Sequence, residues 1–466
     1  MSRGIFRLCS WLVAAFVSVA SANTLDFSII KKEQATVPDN TLLVIGGIQG
    51  DEPGGFLAAS ILSTEYEITK GSVWIVPNLN FESIIKRSRG VSGDMNRKFA
   101  YLRSSDPDFK AITNIKELIT HPSVALIVNL HDGSGFFRHT YIDKYFNPQR
   151  WGNSCIIDQK KLEGVKYGEL DTIAERVAKS INEHLEHQKH KYHVRNTHTR
   201  EGDQEMLKSL TYFAINQGKA AFANEASKSL MSHERAYYHL LALEEYMNVM
   251  GIEFKRTFPL NMEGVKGVIN KEIEISLFDK KVYLNLNNPR SIIKYVPMPK
   301  QQEITYEASN PLTAVVKDDH GYSVHYGNRQ LTKLIPQYFD YTEDKRSLKV
   351  NVDGEIKEIA LGSLIKVNDF FNVEPTNDMR INVIGYVNNK YKDESGLNIR
   401  KQYVLRHYSI DKTGKTFRVE VYDQNKEEKY AGMFLVEFSR LNDEVSPVNI
   451  ADTETSEIPP LQTVGR

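Results

Sequence analysis

The stretch VALIVNLHDGSG occupies residues 124–135 and joins an apolar run to a group of polar and small residues. Its first seven residues predict a buried strand. Similar runs precede it at residues 42–47 and 73–77, and a shorter one follows at residues 220–223. Helical patterns separate these runs after Pro53 and at residues 109–119, 170–190 and 233–250. The alternation predicts an α/β domain over residues 23–253, with a mixed or mostly parallel sheet flanked by helices.

The texture of the chain changes after about Phe254. Short alternating segments at residues 264–268, 303–306, 312–316, 381–386, 416–421 and 433–438 are separated by Gly, Asn, Asp and Pro. This pattern predicts two smaller all-β domains, at residues 254–340 and 341–443, the second of them sandwich-like. Residues 444–466 are rich in Pro, Ser, Thr and Glu, which predicts a flexible tail.

The N-terminus has the pattern of a secretory signal peptide. Arg3 and Arg7 precede an apolar run at residues 8–19, which ends on a small-residue triad at residues 20–22. We expect cleavage after Ala22, the alternative being an uncleaved anchor. Cleavage leaves Cys155 as the lone cysteine, and export without a disulfide fits a bacterial periplasm. With a net charge of +0 and no further apolar run of spanning length, we expect neither nucleic-acid binding nor a membrane span after cleavage.

Polar residues follow three of the predicted strands. Gln49 and Glu52 follow the first, His131 follows the third and Glu225 follows the last. Ligands of open α/β sheets bind outside the carboxyl ends of the strands, so these side chains could share one crevice. Three protein ligands and a water make a catalytic zinc site, and Glu225 would then take the proton of that water. Taken singly, such a His is more often structural and such a Glu more often interacts with a helix dipole.

A basic loop adds a candidate anion site. Residues 86–99, KRSRGVSGDMNRKF, contain Arg87, Arg89, Asn96, Arg97 and Lys98. An arginine fork binds a carboxylate through two hydrogen bonds, so this loop could hold the terminal carboxylate of a peptide beside the metal. The alternative is an ordinary solvated basic loop.

These motifs together resemble the zinc carboxypeptidases of the M14 type. The matching segments are residues 48–53, 76–80, 94–99, 129–135 and 224–225, in the family's order and spacing. The resemblance covers about half of the chain. With two β domains following, the chain looks most like the cell-shape DL-carboxypeptidases of helical Gram-negative bacteria, which trim peptidoglycan tripeptide stems to dipeptides.

The resemblance implies a role for each matching position. The implied metal ligands are Gln49, Glu52 and His131, the general base is Glu225, the carboxylate-binding residues are Asn96 and Arg97, the oxyanion-stabilising residue is Arg89, and weaker pocket candidates are Trp151, Thr211 and Lys228. Gln49 departs from the general family, which has His there. An amide oxygen is not a usual zinc ligand, so either the site binds metal weakly and is active, or it has lost the metal and only binds peptides.

The function implied is that of a periplasmic zinc DL-carboxypeptidase that removes the C-terminal meso-diaminopimelate from tripeptide stems and thereby influences cell shape. One alternative is a γ-D-glutamyl-diaminopimelate amidase on free wall peptides, or an acylamino-acid deacylase. Another is a non-catalytic peptidoglycan-binding protein. The expected partner is the stem peptide, and the β domains could dock cell-wall proteins, bind the sacculus or act as spacers.

Overall fold

The structure is a computed structural model that describes residues 20–21, 25–34, 40–300, 302–342, 347–387, 392–426 and 428–439. The predicted signal peptide lies outside the described residues except for Ala20–Ser21, and the predicted tail at 444–466 lies wholly outside them. Within the described ranges, no helix is long and apolar enough to cross a membrane.

The first part of the chain alternates strands and helices. Its strands are β1 (Ala20–Ser21), β2 (Ile30–Gln34), β3 (Thr41–Ile45), β4 (Tyr66–Val76), β5 (Val124–Gly133), β6 (Phe136–Phe137), β7 (Phe146–Asn147), β8 (Ser154–Ile157), β9 (His193–Asn196), β10 (Ala220–Ser227) and β11 (Glu253–Arg256). Its α-helices are α1 (Pro53–Glu65), α2 (Phe81–Lys86), α3 (Phe109–Thr120), α4 (Leu170–Asn182), α5 (Thr199–Gly202), α6 (Leu210–Asn216) and α7 (Ser232–Val249). Short 3-10 turns lie at Met95–Arg97, Gln188–His190 and Met206–Lys208.

The main sheet has the strand order β11-β4-β3-β5-β10-β8-β9, and β2 also pairs with β4. Its central strands β4, β3, β5 and β10 are parallel, whereas β2 and β11 pair antiparallel to β4. Strand β8 is antiparallel to β10 and parallel to β9. Helices α1, α4 and α7 pack together, and α3 and α6 contact β5. Strand β5 is buried along its whole length, as expected of a central strand covered on both faces.

The middle part of the chain begins with a helix. Its elements are α8 (Met262–Ile269), β12 (Glu274–Leu277), β13 (Val282–Asn285), β14 (Ile292–Pro299), β15 (Thr305–Ala308), β16 (Thr313–Asp318), β17 (Gly321–Tyr326) and β18 (Arg329–Phe339). They form two sheets, ordered β1-β15-β12-β13 and β14-β18-β17-β16. The apolar side chains of these sheets are continuous with the core of the first part.

The last part of the chain is all-β. Its strands are β19 (Ser347–Val352), β20 (Glu355–Ala360), β21 (Leu364–Val367), β22 (Phe370–Val373), β23 (Met379–Val383), β24 (Ile399–Arg400), β25 (Thr416–Asp423) and β26 (Lys429–Phe438). They form two sheets, β20-β19-β22-β24 and β21-β26-β25-β23, which enclose a separate core around Phe371, Phe417 and Phe434. The predicted class, an α/β domain followed by all-β sheets, is confirmed. The domain boundaries remain predictions.

Two elements differ from the sequence prediction. Residues 264–268 form part of α8 rather than a strand, because Val265 and Ile269 are buried at helical i, i+4 spacing and Asn261 caps the helix by accepting from the Gly264 amide at 2.8 Å. The helix predicted over residues 170–190 ends at Asn182. The side chain of Asn182 instead binds both backbone polar groups of Tyr192, which fixes the chain's return into β9.

Candidate active site

Strand register brings two of the predicted residues together. Parallel pairing of β5 with β10 places His131 directly opposite Glu225 at the carboxyl ends of both strands. The sequence analysis placed both residues after their strands, but β5 extends to Gly133 and β10 to Ser227. The two strands keep pairing with each other past His131 and Glu225. Both side chains therefore project from rigid strand backbone.

The loop after β3 brings Gln49 and Glu52 to the same place. It turns sharply past α2, and a Cβ at Gly50 would lie 2.0 Å from the carbonyl carbon of Ser83. Only glycine permits that approach of the two backbones. Glu52 then immediately precedes α1, where its side chain makes no capping bond and is free to point at His131.

Two of the predicted metal ligands, Gln49 and Glu52, approach the same ring nitrogen of the third, His131. Glu52 Oε2 lies 2.8 Å and Gln49 Oε1 lies 3.2 Å from His131 Nδ1, and all three side chains are buried. Burial lowers the pKa of His131, but the hydrogen bond to Glu52 and its charge outweigh burial and raise the pKa overall. Both contacts are hydrogen-bond distances, and they bring the three groups close enough together to contact one small cation. Carboxylate, imidazole and amide oxygen therefore fit a metal.

The third donor has to be an amide. Within the described ranges, no group of three or more His, Cys, Asp and Glu side chains could hold a metal ion. The amide of Gln49 is oriented by Asp94, whose Oδ1 accepts from Gln49 Nε2 at 2.7 Å. Asp94 also accepts from Arg89 Nε at 2.9 Å and from the Asn96 backbone at 3.0 Å. Burial raises the pKa of Asp94, but its bond to Gln49 and the charge of Arg89 lower it overall.

His131 is supported on its other side by two amides. Asn129 Nδ2 lies 2.8 Å and Asn96 Nδ2 lies 3.4 Å from His131 Nε2. When Nδ1 is a metal ligand, the proton of the neutral ring sits on Nε2 and needs an acceptor. Asn129 Oδ1 is buried with no hydrogen-bond partner among the described residues, and rotating that amide by 180° would present it to Nε2. Asn129 is thus placed to fix the ring tautomer.

A charged network behind the site fixes Glu52. The Asp132 amide donates to Glu52 Oε2 at 3.0 Å. The Asp132 carboxylate accepts from the Gly54 amide at 2.8 Å and from Arg235 at 2.7 Å, and it lies 3.2 Å from His239 Nε2. Because Asp132 joins β5 to the first turn of α1 and to α7, it holds the donor carboxylate against three elements at once.

Glu225 differs from its neighbours in lacking a partner. Its Oε2 is buried and makes no hydrogen bond to any described residue. Burial raises the pKa of Glu225 to about 8, an effect that His131 opposes and Glu52 reinforces. The side chain lines a cavity of about 270 Å³ together with the three candidate ligands. An unpaired carboxylate at this position can accept a proton from a bound water.

Cations surround the same cavity. Arg89, Arg97 and Lys228 all line it. Lys228 Nζ lies 2.7 Å from Asp51 Oδ2 and 3.4 Å from Glu52 Oε1, while an Arg89 nitrogen lies 3.7 Å from Glu52 Oε1. Arg97 donates to the Asn96 backbone carbonyl at 3.1 Å, and its Nε lies 3.7 Å from the exposed Glu205. The rest of its guanidinium can bind an anion.

The remaining predicted residues also reach the cavity. Asn96, Trp151 and Thr211 line it. The side-chain Oδ1 of Asn96 accepts from the Leu210 amide at 2.9 Å, so of the side-chain amide only the NH₂ group is available to a ligand. The Trp151 ring is covered by the guanidinium of Arg195 at 3.7 Å.

Two residues of the basic loop do not reach the cavity. Lys98 Nζ binds Asp106 at 2.8 Å and Asp108 at 2.7 Å, and Arg87 donates to the Asn328 carbonyl at 2.8 Å. The idea that they join the anion site is wrong, because both side chains are bound elsewhere.

Comparisons with known proteins identify the family of this chain. Residues 2–270 match the family described as "carboxypeptidase controlling helical cell shape, catalytic", and residues 341–439 match the "C-terminal domain of metallo-carboxypeptidase". The chain belongs to this family of cell-shape carboxypeptidases. The resemblance drawn from the sequence motifs is confirmed, and so is the enzyme class of a metallocarboxypeptidase. Membership implies a metal cofactor.

Solved structures of one relative cover the whole fold. The apo cell shape determinant protein Csd4 from Helicobacter pylori is 37% identical, with a TM-score of 0.81 over 89% of this chain and 100% of that one. Tripeptide-bound Csd4 is 38% identical over the same shares with a TM-score of 0.81. The mDAP-bound form of Csd4, described as a D,L-carboxypeptidase, is 38% identical over 88% of this chain and 100% of that one, with a TM-score of 0.81. Among curated protein sequences, none matches the chain.

Sequence reasoning missed the residues that orient the family's candidate ligands in this chain. Asp94 and Asn129 both lie inside motifs that carried the resemblance, each two positions from a predicted site residue. A polar residue at such a distance is the available signal, but it does not reveal which atom it will contact. Arg195 lies on β9 outside every motif, and nothing in the sequence connects it with Trp151.

Proposed function

We propose that this cell-shape carboxypeptidase is a periplasmic zinc D,L-carboxypeptidase that removes the C-terminal meso-diaminopimelate from peptidoglycan tripeptide stems and leaves dipeptides. The observation that carries the proposal is the pairing, in one cavity, of the Gln49–Glu52–His131 donor set with the unpaired carboxylate of Glu225. The tripeptide and mDAP complexes of Csd4 support the substrate class.

Gln49, Glu52 and His131 would hold the zinc ion. Bound there, zinc would polarise the scissile carbonyl and make water nucleophilic at neutral pH. Glu225 would accept the proton of that water through its free Oε2 and deliver it to the departing amine of diaminopimelate.

The cations would make the reaction specific for a chain end. Arg97 and the NH₂ group of Asn96 would bind the carboxylate of the terminal residue, and Arg89 would stabilise the oxyanion. Lys228 would help to compensate the buried negative charge of Glu52. Trp151 and Thr211 would form the wall of the pocket against the substrate side chain. A substrate without a free carboxylate at its end would be bound poorly.

The test is chromatography of muropeptides after incubation with the purified zinc-loaded protein. We expect tripeptide species to disappear as dipeptide species and free diaminopimelate appear, with Glu225→Gln as the inactive control. Turnover restricted to free wall peptides would favour the γ-D-glutamyl-diaminopimelate amidase alternative. Binding of tripeptide without any product would favour a non-catalytic peptidoglycan-binding protein. Fractionation of cells would test the periplasmic location.

A further inference from the structure

A second cleft lies between the middle and C-terminal β sheets. It encloses about 520 Å³ and is lined by residues of β14 and β18 on one side and of β23 and β25 on the other. It shares no lining residue with the active-site cavity. Its size is within the roughly 300–1,000 Å³ that small-molecule sites occupy. We refer to it below as the tyrosine cleft.

The floor of the tyrosine cleft carries buried charges. Arg418 and Glu420 lie on the same face of β25 and are 2% and 3% exposed, while the alternate side chains Phe417, Val419 and Val421 fill the C-terminal core. Arg418 donates to the backbone carbonyl of Tyr295 at 2.8 Å. Strand β25 therefore presents a charged face, instead of an apolar one, to the junction between the middle and C-terminal sheets.

Several polar atoms of this floor make no hydrogen bond. Among the described residues these are Glu420 Oε1 and the Nε atoms of Arg380 and Arg418, although Glu420 Oε2 accepts from the Tyr422 hydroxyl at 2.7 Å. Two of them make only longer ion pairs, Glu420 Oε1 with Arg418 at 3.5 Å and Arg380 Nε with Glu428 at 3.6 Å. Burial raises the pKa of Glu420, and Arg418 opposes that shift. Leaving a buried donor or acceptor unsatisfied costs about 1–3 kcal/mol each, so such atoms indicate a missing partner.

The rim of the cleft is aromatic. Tyr295 is 57% exposed and Tyr408 is 38% exposed, and Tyr386 lies beside them. Tyr295 has a positive φ of 57°, at a register shift between Ile293 and Val296 of β14. A bulge of this kind re-aims a side chain, here the ring of Tyr295.

The lining has the chemistry of a site for neutral polyhydroxylated ligands. Arg380 and Arg418 face Glu420 and Glu428, so the charges balance and a simple anion or cation gains little. Donors and an acceptor that make no hydrogen bond within the protein suit hydroxyl and amide groups, which both donate and accept. Exposed tyrosine rings offer flat apolar surfaces with a polar tip. We infer that the tyrosine cleft binds a short segment of a neutral glycan built from N-acetylated amino sugars.

This inference goes beyond the proposed function and rests on it only for the source of the glycan, the sugar strand that carries stem peptides. Binding there would hold the protein on the wall polymer while the separate α/β domain cleaves the peptides. The local concentration of stem peptides would then rise without any change in the active site.

Calorimetric titration of the whole protein with a soluble N-acetylglucosamine tetramer tests the inference directly. We expect saturable binding that Tyr295→Ala weakens about five- to tenfold, as expected from loss of one stacking ring. Tyr338→Ala is the matched control, because Tyr338 is 55% exposed on β18 but lies outside the cleft. Glu420→Gln should weaken binding as well, because the amide keeps one oxygen acceptor in place of two and the Tyr422 hydroxyl already uses one. No saturable binding of the tetramer, or equal binding by Tyr295→Ala, would overturn the inference.

Comparison of two substrates separates this inference from the proposed function. Tyr295→Ala should cleave soluble tripeptide at the wild-type rate but release product more slowly from intact sacculi. Glu225→Gln should bind the glycan as tightly as the wild type. Glycan binding by a protein that cleaves no peptide would refute the proposed function alone. Cleavage without glycan binding would refute the inference alone.

Discussion

Asp94 offers the sharpest test of whether Gln49 is a metal ligand. The change Asp94→Ala removes the acceptor that holds Gln49 Nε2 at 2.7 Å and so keeps the amide oxygen directed at His131. If that oxygen binds zinc, its loss of orientation should weaken zinc binding. Asp94 itself contacts neither Glu52 nor His131 through any hydrogen bond that the structure gives.

The size of the effect follows from the contact. A hydrogen bond to a charged group contributes about 1.5–3 kcal/mol, and the Asp94 side chain is only 18% exposed. One such bond corresponds to a factor of about 10–150 in a binding constant. Loss of a residue that orients a metal ligand typically costs about 10–100-fold in metal affinity. The two lines of reasoning agree, so we expect zinc affinity to fall about 10–100-fold.

Two further variants separate orientation from charge. Asp94→Asn keeps an acceptor oxygen but loses the charge, so its zinc affinity should lie between those of the wild type and Asp94→Ala. Asp51→Ala removes a carboxylate near the site that pairs with Lys228 and does not contact Gln49. Its effect on zinc affinity should be smaller than that of Asp94→Ala.

Competition with a chromophoric chelator measures zinc affinity without reference to activity, and circular dichroism checks that each variant is folded. Unchanged zinc affinity in folded Asp94→Ala would refute the orienting role. Equal losses in Asp94→Ala and Asp51→Ala would show that charge alone, rather than the Gln49 contact, accounts for the effect.

Four other changes give separate tests. Gln49→His should hold zinc more tightly against a chelator, because imidazole is the stronger ligand, and weaker retention in a folded protein would remove Gln49 from the ligand set. Glu225→Gln should retain zinc and abolish turnover of tripeptide, because an amide accepts no proton at neutral pH; near wild-type turnover would exclude Glu225 as the base. Arg97→Ala should lower kcat/KM by an amount equivalent to about 2–4 kcal/mol of activation free energy, with little change in thermal stability. If the wild-type enzyme cleaved a C-terminally amidated stem as fast as the free acid, this role of Arg97 would be contradicted. Burial raises the pKa of Glu394 to about 7, so the folded protein binds a proton there that the unfolded chain has lost, and stability falls as pH rises from about 4.5 to 7. Glu394→Gln should flatten that part of the stability–pH curve in urea titrations, and an unchanged slope would contradict the assignment.

The sequence was sufficient to predict the central sheet because its strands carry unbroken apolar runs. Strand β5, for example, is buried throughout and has no competing helical period. Residues 264–268 show the limit of that reasoning. Two valines among glycines fit an alternating pattern and a helical one equally well. The cap at Asn261 and packing against α7 stabilise the helix.

The candidate site was predictable where a residue's position on a strand determines where it points. His131 and Glu225 are examples, since neighbouring parallel strands bring their carboxyl ends together. Arg87 and Lys98 were assigned wrongly because a long side chain on a loop has many possible partners. The sequence does not reveal that Asp106 and Asp108 are within reach of Lys98. The tyrosine cleft was beyond prediction for the same reason, since β14 and β25 meet only in the folded protein.

The presence of Gln49 where the general family has histidine need not inactivate this site. Glutamine and neutral histidine carry the same charge, so the donor set keeps the single negative charge of Glu52 whichever of them is present. Compared with histidine, glutamine is less basic and lacks a rigid ring. The surrounding structure compensates for the lack of rigidity. Asp94 holds one end of the amide at 2.7 Å, so that the other end has one orientation, toward His131. A weaker ligand donates less electron density and so neutralises less of the metal's positive charge. The metal is then better able to polarise a carbonyl. Weaker retention of zinc and retained catalytic power are therefore compatible consequences of the same residue.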